Sequence, residues 1–138
     1  MRIDYILDHG AIRPTKAHRA DAGFDLYSME DKTIPAHGYA LFDTGVHLKI
    51  PRGYVGFLKS KSGLNCKHSI LGEGVIDSGY TGSIVVKLYN HSDEDYEVKE
   101  GDKINQIVIL PIPEIELCRV CVFEDTERGN KGFGSSGR

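Results

Sequence analysis

At 138 residues, with 40% hydrophobic and 27% charged side chains, the chain is long enough for one domain whose core needs no staples. A net charge of −3 gives no electrostatic basis for a nucleic-acid partner, and no apolar run approaches the roughly 18 residues of a membrane span. Acids within the opening MRIDYILDHG do not fit a signal peptide, so the expected location is cytoplasmic, away from the membrane.

Helical periodicity is almost absent. Short alternating or β-branched runs follow one another instead: RIDYIL, YALFDTG, GVHLKI, GYVGFLKS, SIVVKLYN, KINQIVIL and IELCRVCVF. In the fifth of these, Ile84, Val86 and Leu88 form an apolar face, while Val85, Lys87 and Tyr89 point the other way. Turn residues separate the runs, as at Pro35-Ala36-His37-Gly38, Pro51-Arg52-Gly53 and Asn90 to Asp95, and the 16 glycines serve these reversals. Roughly ten short strands at such spacings predict an all-β chain, a sandwich or barrel of jelly-roll type, with at most one helical turn near Asn65 to His68. The strand pattern stops near Glu124, which divides a core at 1–123 from a C-terminal arm at 124–138.

The 3 cysteines, Cys66, Cys118 and Cys121, are an odd number and do not suggest a disulfide framework. Cys118 and Cys121 have half the spacing of a zinc site, but on a strand residues three apart face opposite ways, and no second pair completes a metal site. They are expected to be buried structural thiols. The 6 histidines are scattered without ligand spacing.

Four glycine-bearing segments interrupt the strands. In ADAGFDLYS, Asp25 follows Gly23 and could simply bond a turn. In SKSGLN, a cation, a hydroxyl and a flexible N–H (Lys61, Ser62 and Gly63) end a strand, which suits either phosphate oxygens or a plain polar turn. In GEGVIDSGYTGS, the apolar Gly74-Val75-Ile76 leads to a hairpin bearing Asp77 and, just past the bend, Tyr80. Taken alone, Asp77-Ser78-Gly79 reads first as turn chemistry, and against that stands a general base beside an aromatic platform. The final RGNKGFGSSGR contains Arg128, Lys131 and Arg138 and no acid. It reads as a frayed terminus or as a mobile flap whose backbone and cations hold an anion; it is no Walker A loop.

In order along the chain, ADAGFDLYS, SKSGL, GVIDSGYTG, GDKINQIVILP and RGNKGFGSSG resemble the first to fifth motifs of the homotrimeric, all-β dUTP pyrophosphatases (dUTPases). The resemblance runs from Ala20 to Gly137. It implies hydrolysis of dUTP to dUMP and pyrophosphate, which keeps uracil out of DNA and supplies dUMP for thymidylate synthesis. Asp77 would be the catalytic base that activates water for attack on the α-phosphorus. Mg2+ would sit on the triphosphate, with the phosphates as its direct ligands and Asp25 acting through water.

The same resemblance implies that backbone groups of Gly74, Val75, Ile76 and Val85 surround uracil, while Tyr80 stacks beneath the deoxyribose and rejects a 2′-hydroxyl. Lys61, Ser62, Gly63 and Gln106 would meet phosphates. Phe133 would stack on uracil as the arm closes, with Arg128, Gly134, Ser135 and Ser136 on the γ-phosphate. Sites would lie at the subunit interfaces of a homotrimer. Lys61 stands where arginine is usual, Gly79 where aspartate is common, and Ser136 where threonine is usual. Rival readings on the same fold are a dCTP deaminase, alone or bifunctional, and a dUTP-sensing regulatory protein.

Overall fold

The computed structural model describes residues 1–132. Eleven strands and one short helix follow the chain as β1 (Asp4–Leu7), β2 (Phe24–Tyr27), β3 (Lys32–Ile34), β4 (Tyr39–Asp43), β5 (Val46–Lys49), β6 (Tyr54–Lys59), α1 (Ser62–His68), β7 (Ile70–Leu71), β8 (Gly74–Ile76), β9 (Val85–Asn90), β10 (Tyr96–Val98) and β11 (Lys103–Pro111). All pairings are antiparallel. A four-stranded sheet runs β2-β11-β6-β8 and a three-stranded sheet β4-β9-β7, with two-stranded pairs β1-β5 and β10-β3 beside them. The result is the expected all-β, jelly-roll-like fold.

Inward-facing residues from every sheet meet in one core, among them Leu26, Ile34, Phe42, Val46, Leu58, Ile70, Val86, Val98 and Ile107. The alternation read in β9 holds: Ile84, Val86 and Leu88 are buried, and Val85 and Tyr89 are exposed. Burying one such aliphatic side chain is worth about 1.5–3 kcal/mol, so this alternation fixes which face of the strand turns inward. The single helical turn expected near Asn65 to His68 is the C-terminal part of α1, which begins at Ser62, buries none of its residues and ends at Ser69 in the left-handed conformation (φ 55°). Among the described residues, no helix is long and apolar enough to cross a membrane.

The structure corrects three expectations. First, β8 and β9 do not form a hairpin: β8 pairs with β6, and β9 pairs with β4 and β7. Residues 77–84 instead cross between sheets, because buried Ile84 is drawn into the second layer, its N–H donating to Val46 O at 2.9 Å. Second, IELCRVCVF forms no strand: regular structure ends at Pro111, and 112–123 finds no partner strand among the described residues of its own chain. Third, all three cysteines are exposed rather than buried. Cys66 lies on the unburied α1, and Cys118 and Cys121 lie on that unpaired segment.

Candidate active site

The loop that leaves β8 makes one half of the site. Tyr80 N–H donates to Asp77 O at 3.2 Å, and Gly79 takes φ 86°, the left-handed turn that glycine allows without strain. The Tyr80 hydroxyl donates to Ser83 O at 2.9 Å, and the Ser83 hydroxyl reaches the Asp43 carboxylate. These bonds fold the loop back on itself, so that Val75, Ile76, Asp77, Tyr80, Ser83 and Val85 line one cleft of about 260 Å³. Asp77 stands exposed at this cleft. Gly74 begins β8, which is the edge strand of its sheet, so the outer backbone groups of Gly74, Val75 and Ile76 have no strand partner in that sheet. An edge of alternating N–H and C=O groups can pair with the polar rim of a flat heterocycle.

The other half gathers where β2, β11 and the end of β6 meet in the same sheet. Asp25 lies on β2, buried, and accepts from both Lys61 and Lys103, the latter at 2.8 Å. Burial pushes the Asp25 carboxyl upward, but the hydrogen bonds from Lys103 and Lys61, and their charges, outweigh it and hold the group below its ordinary value. The same carboxylate pushes the Lys103 ammonium up. Lys61 is the N-cap of α1, and Ser62 and Gly63 open that helix, all at the end of β6. Gln106, on β11, is opposite Asp25 on one side and Lys59 on the other, and its amide reaches Ser60 O at 3.4 Å. A Cβ on Gly23 would fall 3.2 Å from the Gln106 Cβ, so the glycine permits this close packing.

Thus Gly74, Val75, Ile76, Asp77, Tyr80 and Val85 come together around β8 and the loop after it, and Asp25, Lys61, Ser62, Gly63 and Gln106 come together across β2, β11 and the end of β6, so that of the second set only Asp25 lies on the far edge strand. With β11 and β6 between them, β2 and β8 lie roughly 14 Å apart at about 4.8 Å per strand. Arg128 is exposed, in a turn where its Nε donates to Lys131 O at 3.2 Å. Phe133, Gly134, Ser135 and Ser136 lie outside the described residues.

Sequence reading missed two members. Lys103 stands inside the fourth motif, but nothing local announces that a cation opening one strand will meet the carboxylate of another. Ser83 reads as a linker serine until its partner Asp43 is known. No group of three potential protein ligands gathers for a metal among the described residues. Asp25, acceptor-only and with lone pairs left beside its two lysines, suits contact with a hard divalent cation through water.

The dUTPase family model matches residues 10–137. This chain belongs to the dUTPase family. It is 46% identical over 128 residues to the deoxyuridine 5′-triphosphate nucleotidohydrolase of Candida albicans, covering 91% of this chain and 80% of the relative. The dUTPase of Staphylococcus bacteriophage 80alpha, solved with dUPNHPP, superimposes with a TM-score of 0.92 at 34% identity and 99% coverage of both chains. A variant dUTPase from phage phi11 of S. aureus, described with a structural Mg(II) ion, gives 0.82 at 30% identity, covering 91% of this chain and 100% of the phage one.

Proposed function

We propose that this chain hydrolyses dUTP to dUMP and pyrophosphate. The observation that carries the reading is the cleft in which Asp77 and Tyr80 stand beside the open backbone edge of β8. Asp77 takes a proton from water, the water oxygen attacks the α-phosphorus, and the bond to the bridging oxygen of the β-phosphate breaks, so that pyrophosphate leaves. Uracil pairs with the backbone of Gly74, Val75, Ile76 and Val85, in a slot too narrow for the methyl of thymine and wrongly patterned for cytosine. Tyr80 lies under the deoxyribose and excludes a 2′-hydroxyl.

Lys61, Ser62, Gly63 and Gln106 bind phosphates. Mg2+, when bound, neutralises the triphosphate and fixes its geometry. Asp25 would hold that ion through a water, its carboxylate kept in place by Lys61 and Lys103. Arg128, with the Phe133 to Ser136 tail, closes over the nucleotide as the arm 124–138 of a core spanning 1–123.

The active form is a homotrimer with sites at its subunit boundaries. Two features support this. The strands that carry Asp25 and Gly74–Ile76, β2 and β8, are the two edge strands of one sheet, where neighbouring copies can meet it. The segment after β11 leaves Ile115, Leu117, Val122 and Phe123 more than two-thirds exposed, an apolar stripe that a single chain does not cover. The expected cellular compartment is the cytoplasm.

Pyrophosphate release from dUTP, dCTP, dTTP and UTP with Mg2+, each nucleotide product identified, tests the reading. Release from dUTP alone is expected. Ammonia and a uracil nucleotide from dCTP would move the chain to deaminase chemistry, and dUTP binding without turnover would make it a sensor.

A further inference from the structure

The loop that carries Asp77 and Tyr80 is tied to the rest of the fold by a histidine outside every motif named above. His47, on β5, directs Nδ1 to Thr81 O at 2.8 Å and Nε2 to Asp8 Oδ1 at 3.2 Å. Thr81 follows Tyr80 directly, so this contact sits one residue from the aromatic wall of the cleft. Asp8 is itself held, its N–H donating to Gly45 O at 2.9 Å beside the start of β5.

Both partners of the ring are acceptors only. A backbone carbonyl has no hydrogen to give, and an ionised carboxylate has none. A neutral imidazole carries a single N–H and can satisfy one of them; the imidazolium satisfies both. We infer that His47 is a positioning residue which, as an imidazolium, braces the Asp77–Tyr80 loop against Asp8, and that the brace weakens when the ring loses a proton.

The surroundings favour the charged ring. The Thr81 carbonyl and the Asp8 carboxylate raise the proton affinity of His47, desolvation opposes them, and the charges of Asp8 and Asp43 add to the rise. Asp8 faces the ring from the segment after β1, and Asp43 from the end of β4, where it accepts from Ser83 of the same loop. Asp4, Tyr5 and Lys49 line the groove in which the ring lies. The loop thus has two struts of different kind: Asp43 to Ser83 persists at neutral pH and above, while His47 to Thr81 and Asp8 is complete only while the ring is doubly protonated. On deprotonation the ring can keep its bond to Thr81 or to Asp8, not both, and its orientation is no longer fixed from two ends.

The inference rests on the dUTP-hydrolysing reading only for its kinetic consequence, so it has a structural test and a kinetic one. In the full chain, the nitrogen shifts of the His47 ring are followed by NMR against pH. The imidazolium is expected to persist above the ordinary histidine value of 6.5. The amide signals of residues 77–81 are expected to move with the same midpoint, and Asp8→Asn should lower that midpoint. A ring that titrates at or below 6.5, or a loop whose amides ignore it, overturns the inference.

Kinetically, KM for dUTP in the native protein should rise through the same midpoint. In His47→Ala it should be raised by roughly three- to tenfold at low pH, the scale of one net hydrogen bond, and lose the inflection. His47→Gln, which can donate to Thr81 alone, should recover part of the loss without restoring the inflection. Identical pH profiles for the native protein and His47→Ala overturn the positioning role. Absence of dUTP turnover in the native protein would sink the hydrolase reading instead, and the ring and amide titrations would still decide the brace.

Discussion

Asp25 and Lys103 meet across paired strands, carboxylate oxygen to ammonium nitrogen at 2.8 Å, with the Asp25 side chain only 10% exposed. Lys61 takes the other carboxylate oxygen, so one buried anion organises two cations at the end where phosphates are proposed to bind. Without Asp25 the lysines would repel each other; without the lysines a buried carboxylate would lack partners. Asp25→Asn is therefore expected to cost about 1 kcal/mol at neutral pH, a figure kept small because the lysine ends reach solvent. Urea denaturation of the two proteins side by side measures it.

The same cluster sets a pH dependence with a definite sign. Against the push of burial, hydrogen bonds and charge from Lys103 and Lys61 bring the Asp25 carboxyl below its ordinary value of 3.8. A group depressed in the folded state contributes stability that is complete above its unfolded value and is lost as pH falls through the folded one. The stability gap between the native protein and Asp25→Asn should stay constant above about pH 5 and narrow below the ordinary value of 3.8. A gap that widens on acidification would contradict the assignment.

Asp77→Asn removes the proposed base while keeping size and most hydrogen bonding. Turnover of dUTP is expected to fall by about 10²–10⁴, the usual contribution of a general base, with nucleotide affinity within a few-fold of the native value. Steady-state rates and equilibrium titration with a non-hydrolysable analogue separate the two effects. Surviving turnover would remove Asp77 from its role.

Gly82 lets the Tyr80 ring fold back over the loop: a Cβ there would fall 2.6 Å from Cζ and 2.9 Å from Cε2 of that ring. Tyr80 is half-exposed and can swing away, so Gly82→Ala should leave stability almost unchanged while breaking the bond from the Tyr80 hydroxyl to Ser83 O. The expected outcome is weaker discrimination between dUTP and UTP at an unchanged melting temperature. An unaltered ratio of kcat/KM values for the two nucleotides would show that the ring does not police the sugar.

Much of this was legible in the residues. β4 and β9 each bury one face and leave a period-2 trace, while the runs that form β6 and β11 are marked by their aliphatic and β-branched content, since both bury adjacent residues. Which strands pair leaves no such trace. The step from Ile76 to Val85 looks like a hairpin locally, and only the pull of Ile84 toward Val46 shows that it crosses between sheets. The contact of Lys103 with Asp25 depends on the β2–β11 register, a long-range property. His47 reads as one scattered histidine in the sequence because its partners, Thr81 and Asp8, are remote along the chain.

IELCRVCVF has the composition of a strand but no partner within its chain, and that mismatch yields a clean test of assembly. Leu117 is 94% exposed, so within one subunit its side chain has almost no packing to lose. A replacement by a charged residue should then be nearly neutral for an isolated chain, as surface substitutions usually are. If the segment instead lies against a neighbouring copy, Leu117→Asp must desolvate a carboxylate there. Light scattering is expected to show the proposed trimer dissociating at concentrations where the native protein stays assembled. Nucleotide turnover should fall with dissociation if, as proposed, the sites lie at subunit boundaries. Equal mass and equal melting temperature for the two proteins would place the segment in solvent and leave the site within one chain.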